Sequence, residues 1–357
     1  MRVVVIPADR GGCGYYRLIW PAQAVSLARP DWQVEVRPPE TVQAGFVDGR
    51  FVGVQGLPDP GTIDVLVMQR VGTPGQINVA RWARERGAAV VVDFDDAMWC
   101  IDRDNVAWPS WNMRNPYDQH WKTCDVAAAE ADLVTVTTEH LAKHYGKAHR
   151  RVDVINNHVP QAAVSLEPLP RSPKDPFTAG WVGFTQTHPG DCEVSGPAAR
   201  AVLDSGGGLA VVADGPGAAR EWGVDEAQVR CIPGQKFGPS YYQSLSVLDL
   251  MLVGLKDTPF NRAKSTLKVL EAAAAGVPSV APDNPPHRDL ARRGFPVTLA
   301  SSPTEWATAA KRHASDPSYS AEQKEATAEA VTGWTIEGNA GLWADAWERA
   351  ARLRRLR

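Results

Sequence analysis

Short apolar, β-prone runs recur along this 357-residue chain with helical patterns between them, and that alternation admits few folds. In the first half the runs are Val3–Pro7, Gln33–Val36, Val65–Gln69, Ala88–Asp93, Leu133–Thr137 and Val152–Ile155. Helical periodicity fills gaps between them at Leu18–Leu27, Ile77–Glu85 and Glu139–Tyr145. Strands that are apolar throughout, rather than at every second residue, must be covered on both faces. A parallel, doubly wound sheet with helices on each side meets that demand.

The rhythm breaks at 160–176, a stretch rich in proline and charge that reads as a linker. Strand-like runs resume at Ala179–Gly183, Leu209–Ala213, Val229–Ile232, Val247–Leu252 and Val277–Ala281. A chain of this length is long for one core and comfortable for two. The expected division is an α/β domain over 1–160, a linker over 161–176, a second α/β domain over 177–335 and a terminal segment over 336–357. In that last segment Leu342, Trp343, Ala346, Trp347, Ala350 and Leu353 mark one side of an amphipathic helix.

Composition narrows the functions open to such a chain. With 38 Lys plus Arg against 41 Asp plus Glu, it lacks a global nucleic-acid footprint. The five arginines between Arg349 and Arg357 are a local patch that would suit DNA phosphates or anionic lipid, or simply end a helix, where cations are favoured. Five scattered cysteines without metal-ligand spacing predict reduced thiols. Met1–Arg2 leads straight into a strand without a signal-peptide pattern, and no apolar run approaches the ~20 residues that span a bilayer. A cytoplasmic protein is the expectation.

The stretch Asn261–Pro282, NRAKSTLKVLEAAAAGVPSVAP, carries the most chemistry. Leu267, Leu270, Ala274 and Ala275 recur at helical spacing, Asn261 or Ser265 can cap the start, and Gly276 and Pro278 end it. The free N–H groups of such a start, flanked by Arg262, Lys264 and Lys268, offer an anion site. Glu271 lies further along, where a ribose diol would fall if a diphosphate sat at the helix start. An ordinary amphipathic helix is the alternative.

KVLEAAAAGVPSV resembles the nucleotide-binding helix of GT-B glycosyltransferases, in particular the glycogen-synthase-like branch. Upstream, DLMLVGLKDTPFNRAKSTLK is similar to an L-x-P-L-x-D-x-x-F-N-x-x-K-S-x-x-K pattern of phage and bacterial members, with Gly254 replacing the proline. GGCGYYRLIWPAQAV near the N-terminus and GWVGFTQTHPGD at Gly180–Asp191 keep the family's order. The resemblance implies two Rossmann-like domains facing a central cleft, with the C-terminal helix crossing back to the first. It further implies transfer of a sugar from a nucleoside-diphosphate sugar, UDP favoured over GDP, to a hydroxyl acceptor, with no metal or other cofactor. The donor would lie in the second domain, with Gly12, Gly14, Arg17, Gly183, Thr185, His188, Arg262, Lys264, Ser265 and Lys268 about the diphosphate and Glu271 on the ribose. Retaining relatives carry a glutamate where Lys264 stands, and a first-domain histidine whose place is taken by Asp95 and Asp96, so stereochemistry stays open.

The acidic run Asp93, Asp95, Asp96 ends a buried strand, the end that borders the crevice in an open parallel sheet. Clustered carboxylates repel one another and need a purpose or a cation. Three roles compete: Asp95 or Asp96 as general base for the acceptor, a metal site, or loop charges. Alternating direction would point only one of the pair inward. Beyond them, Trp99, Trp108, Trp111, Tyr117 and Trp121, with His120 among them, offer stacking faces for a sugar or an unpaired base, or pack a long loop. The acceptor is then a hydroxymethylated base in phage DNA, a saccharide or a virion protein. A nucleotide-sugar epimerase and a non-catalytic nucleotide-sugar-binding protein are the rival functions.

Overall fold

The computed structural model describes the whole chain except residues 112–119, 171, 173–174, 214–215 and 357. Fourteen strands form among the described residues. The first eight are β1 (Arg2–Ile6), β2 (Gln33–Val36), β3 (Gln43–Val47), β4 (Arg50–Gln55), β5 (Val65–Gln69), β6 (Ala89–Phe94), β7 (Leu133–Val136) and β8 (Val152–Val154). Six of them build a wholly parallel sheet in the order β2-β1-β5-β6-β7-β8. The others, β3 and β4, pair as an antiparallel hairpin that the sequence reading left out.

The second sheet uses β9 (Thr178–Val182), β10 (Gly208–Ala213), β11 (Val229–Pro233), β12 (Leu250–Leu252), β13 (Ser279–Pro282) and β14 (Thr298–Ala300). Its order, β11-β10-β9-β12-β13-β14, reverses direction at β9, and all its pairs are parallel. Ligands in such sheets bind beyond the carboxyl ends of the strands at the reversal. The loops that matter here follow β1, β5 and β6 in the first sheet and β9 and β12 in the second.

Each sheet is covered by apolar side chains on both faces. The terminal helix Ala340–Arg355 belongs to the first sheet's cover, with Trp343 and Trp347 buried among Val3, Val5, Val65 and Val91. It thus crosses back from the second domain, as the family resemblance implied. Removing either indole to alanine would cost about 3–5 kcal/mol. Its cations are engaged as well. Arg349 pairs with Asp153, Arg355 lies 3.5 Å from Asp64, and Arg354 donates to the Arg84 carbonyl at 2.5 Å; Arg357 lies outside the described residues. No described helix is long and apolar enough to cross a membrane.

Candidate functional site

The loop after β1 folds tightly because Asp9 Oδ1 accepts the N–H groups of Gly11 (2.8 Å) and Gly14 (3.1 Å). A Cβ on Gly14 would sit 2.0 Å from the Asp9 carbonyl oxygen, and one on Gly12 2.8 Å from the Phe237 ring of the second domain. Both glycines are therefore required by close approach, Gly14 within the loop and Gly12 across the cleft. The helix that follows is wound as a π-helix over Tyr15–Ile19, a local distortion often found at functional sites. There Tyr16 crosses to the second domain, while Arg17 turns into the first.

Arg17 is the clearest correction to the sequence reading. Instead of facing a diphosphate it is fully buried, donating through Nε and Nη2 to the two Asp93 oxygens at 3.0 and 2.7 Å. Its Nη1 donates to the Ile155 carbonyl (2.7 Å) and to Asn157 Oδ1 (3.0 Å). Asp93 also accepts from Thr135 Oγ1 at 2.7 Å. The first acidic residue of the run is thus a structural ion pair inside the first domain.

Asp95 and Asp96 lie past the end of β6, so strand alternation does not govern them, and both face one cation. Arg70, on the loop after β5, donates to both Asp95 oxygens (2.5 and 2.8 Å) and through Nη2 to Asp96 Oδ2 (2.8 Å). The same Nη2 reaches Cys13 Sγ at 3.0 Å. Arg70 holds a left-handed backbone, φ 49°, which costs a non-glycine residue energy and recurs at functional sites. Asp96 Oδ1 accepts from Lys264 Nζ at 2.9 Å, across the cleft. Burial raises the Asp96 pKa, but Lys264 and Arg70 outweigh it and hold the carboxyl below its ordinary range. Burial likewise lowers the Lys264 pKa, and Asp96 more than restores it.

Cys13, Asp95 and Asp96 bring a sulfur and two carboxylate oxygens within 4.8 Å of one another. The Arg70 guanidinium already touches all three, and burial raises the Cys13 thiol pKa.

On the second domain the helix expected from Asn261 starts at Leu267, after a separate 3₁₀ turn over Asn261–Ala263. Neither Asn261 nor Ser265 caps it. Asn261 Nδ2 donates to Asp191 Oδ1 (2.6 Å), and the Ser265 hydroxyl accepts from Asn157 Nδ2 of the first domain (2.8 Å). Arg262 is exposed and forked onto Asp257 at 2.6 and 2.8 Å. Lys268 Nζ donates to the Val182 carbonyl at 2.9 Å beside the Trp181 ring, and burial lowers its pKa. Gly183, φ 141°, follows; a Cβ there would lie 3.1 Å from Lys268 Nζ.

His188 sits in the same loop, its N–H bonded to the Thr185 carbonyl at 3.1 Å. Its Nδ1 lies 3.0 Å from Asp191 Oδ2, which assigns the proton to Nδ1. Burial and nearby Lys268 push its pKa down to about 4, so the ring is neutral at physiological pH. Glu271 is buried, and its pKa is raised by burial against the pull of Lys268. It accepts from Tyr16 at 2.6 Å, within a cluster that includes Tyr241 and Tyr242.

Of the aromatic cluster, Trp99 stacks on His144 with ring centroids 3.4 Å apart and meets Tyr145 edge-on. Trp111 lies against Gly72 and meets His120 edge to face at 5.3 Å. Both tryptophans are packing elements of the first domain. Trp108 is half-buried at the start of a short helix, Trp108–Trp111, after a loop that reaches the second domain through Asn105 Nδ2 to the Thr187 carbonyl (2.8 Å) and the Val106 N–H to the Gln186 carbonyl (3.0 Å). Tyr117 lies outside the described residues. The structure therefore gathers Gly12, Asp95, Asp96, Gly183, His188, Lys264, Lys268 and Glu271 and sets apart Arg17, Arg262, Ser265 and Trp99. Arg70, Asp191, Asn261 and Tyr16 join them without having been singled out for these contacts.

No family model and no curated protein sequence matches the chain. Solved structures do. HepE from Anabaena, in complex with UDP and glucose, matches with a TM-score of 0.64 at 14% identity over 97% of this chain and 98% of that one. Sucrose-phosphate synthase from Thermosynechococcus elongatus matches with a TM-score of 0.63 at 13% identity, covering 98% of each. The pneumococcal O-GlcNAc transferase GtfA, in complex with UDP and GlcNAc, matches with 0.56 at 11% identity, over 87% of this chain and 65% of its own. At such identities the likeness establishes the fold: two Rossmann-like domains facing a cleft, arranged as in GT-B glycosyltransferases.

Proposed function

We propose that this protein transfers a sugar from a UDP-sugar to a hydroxyl acceptor in the interdomain cleft. The observation that carries the reading is the meeting of Lys264 with Asp96 and of Glu271 with Tyr16 across the cleft, while Lys268, from the same helix as Glu271, lies against Val182 and Gly183 of the second domain. HepE and GtfA, of the same fold, were solved with UDP, which supports UDP as the nucleotide.

In this reading Lys268, Lys264 and the helix N-terminus take the diphosphate, with Gly183 leaving room for it. Catalysis comes from holding donor and acceptor together and from fixed cations that stabilise the departing UDP. Those cations replace a metal. Glu271 takes the ribose, and neutral His188 accepts a hydrogen bond from the sugar.

Asp96 is the better base than Asp95, because both Asp95 oxygens are committed to Arg70 whereas Asp96 spans the cleft. A diphosphate that draws Lys264 away would free the Asp96 carboxylate for the acceptor. Among acceptors we favour a saccharide or protein hydroxyl over a DNA base. Trp99 is spent on His144, and Arg349, Arg354 and Arg355 are bound to the first domain. The test is calorimetric titration of UDP and GDP into wild type and Lys268→Ala. UDP binding that weakens about tenfold or more in the variant supports the reading; equal affinity in both removes Lys268 from it.

A further inference from the structure

Arg262 and Ser265 turn away from the cleft, and both line a separate cavity of about 230 Å³ between the domains. Asn156 of the first domain, Arg292 and Arg293 of the second, and Trp334 ahead of the terminal helix contribute to its walls. An adjoining hollow of about 300 Å³ shares Asn156, Arg293 and Trp334. Neither is lined by Arg70, Asp96, His188, Lys264 or Lys268. Interdomain hydrogen bonds stand beside the cavity on the side of these residues: Thr138 Oγ1 to the Ala263 carbonyl at 3.0 Å and Asn157 Nδ2 to Ser265 Oγ at 2.8 Å.

The charges here are unevenly used. Arg262 and Arg293 fork onto Asp257 (2.6 Å) and reach Asp289 (2.7 Å), exposed pairs of the kind that contribute little and exchange readily. Arg292 makes no ion pair among the described residues. Thr266, also in the lining, starts the helix Leu267–Ala274 without a side-chain cap. Guanidinium groups match phosphate geometry. The volume is below that of drug-sized pockets, which run upward from about 300 Å³, so the ligand is small.

We propose that this cavity binds a small phosphorylated metabolite, its phosphomonoester on the arginines and its organic part against Trp334. Because both domains line the cavity, the bound ligand ties them together on the side away from the donor. It also touches Ser265, the residue after Lys264, and so bears on the helix start from the opposite face.

The probes are phenyl phosphate and inorganic phosphate, titrated calorimetrically into wild type, Arg292→Ala and Lys268→Ala. Arg292 is exposed and unpaired, so its loss leaves folding intact. Wild type and Lys268→Ala should bind phenyl phosphate alike and more tightly than inorganic phosphate, and Arg292→Ala should bind it about tenfold or more weakly. Absence of saturable binding, or equal binding by Arg292→Ala, overturns the proposal. Loss of binding in Lys268→Ala places the probe in the cleft, which overturns this site while leaving the donor reading standing.

Discussion

The Tyr16 hydroxyl donates to Glu271 Oε1 at 2.6 Å, tying the π-helical turn of the first domain to the helix we assign to the nucleotide. Tyr242 lies 2.5 Å from the same hydroxyl. In the proposed function, Tyr16 holds the hydrogen-bond position that a ribose hydroxyl would take. Glu271→Ala should weaken UDP binding by roughly 1–3 kcal/mol, the range for hydrogen bonds to a charged group. Tyr16→Phe removes the competitor and should leave affinity equal or tighter. Calorimetry on both variants checks this; a Glu271→Ala protein with wild-type affinity ends the ribose role.

Arg17 gives a prediction of the opposite kind. Its partner Asp93 is buried without access to water, so Arg17→Ala strands a carboxylate. Breaking one side of a buried pair costs about 3–5 kcal/mol. The urea midpoint should drop accordingly, while UDP affinity of the folded variant stays near wild type. Unchanged stability with lost nucleotide binding would return Arg17 to the diphosphate.

The contrast between these residues shows what was legible in the sequence. Continuous apolar strands such as β5 announce a two-sided sheet, and β2 and β5 run over the residues whose β-prone runs predict them. The hairpin β3–β4 escaped because it is mostly half-buried or exposed and carries two glycines and a bulge, which leave no clean period. β14 is only three residues long. Lys268 and Glu271 were legible because one helix spaces them, and Lys264 because it stands just ahead of that helix. Arg70 was not, although it follows a buried strand as Asp95 does, because a lone arginine has no motif around it. Tyr16 and Arg17 were separated only by the π-turn, which sends adjacent residues to different domains.

Acid should weaken the fold through its buried histidines. His287 is buried, and burial lowers its pKa to about 4; His158 and His188 are shifted the same way. An unfolded histidine titrates near 6.5, so below that pH the unfolded chain takes up protons that the folded one refuses. The contribution is complete above about pH 6.5 and is lost as pH falls toward about 4. Urea midpoints should therefore fall between about pH 7 and pH 5, and His287→Gln should make the slope shallower. An identical slope in the variant would show that His287 titrates normally.

The acidic pair should divide in function. Asp96→Asn should lower kcat by ~10²–10⁴-fold, the scale of general-base assistance, with UDP affinity preserved. Asp95→Asn should act through Arg70 and cost less. Wild-type turnover in Asp96→Asn would move the base elsewhere, with His188 the next group to test.

With Arg70 and Lys264 supplying the positive charge, transfer should persist in EDTA. Activity that vanishes on chelation and returns with Mg²⁺ or Mn²⁺ would make Cys13, Asp95 and Asp96 a metal site after all.

The central claim is that this cleft breaks the bond between UDP and a sugar. Its most direct measurement is UDP release over time from a panel of UDP-sugars, with the sugar product identified, for wild type and the Lys264→Ala, Lys268→Ala double variant. The account predicts UDP release by wild type with the sugar freed to water or moved to a hydroxyl, and its loss in the variant. A donor that is isomerised without UDP release, one bound but never cleaved, or equal release by the variant would contradict it.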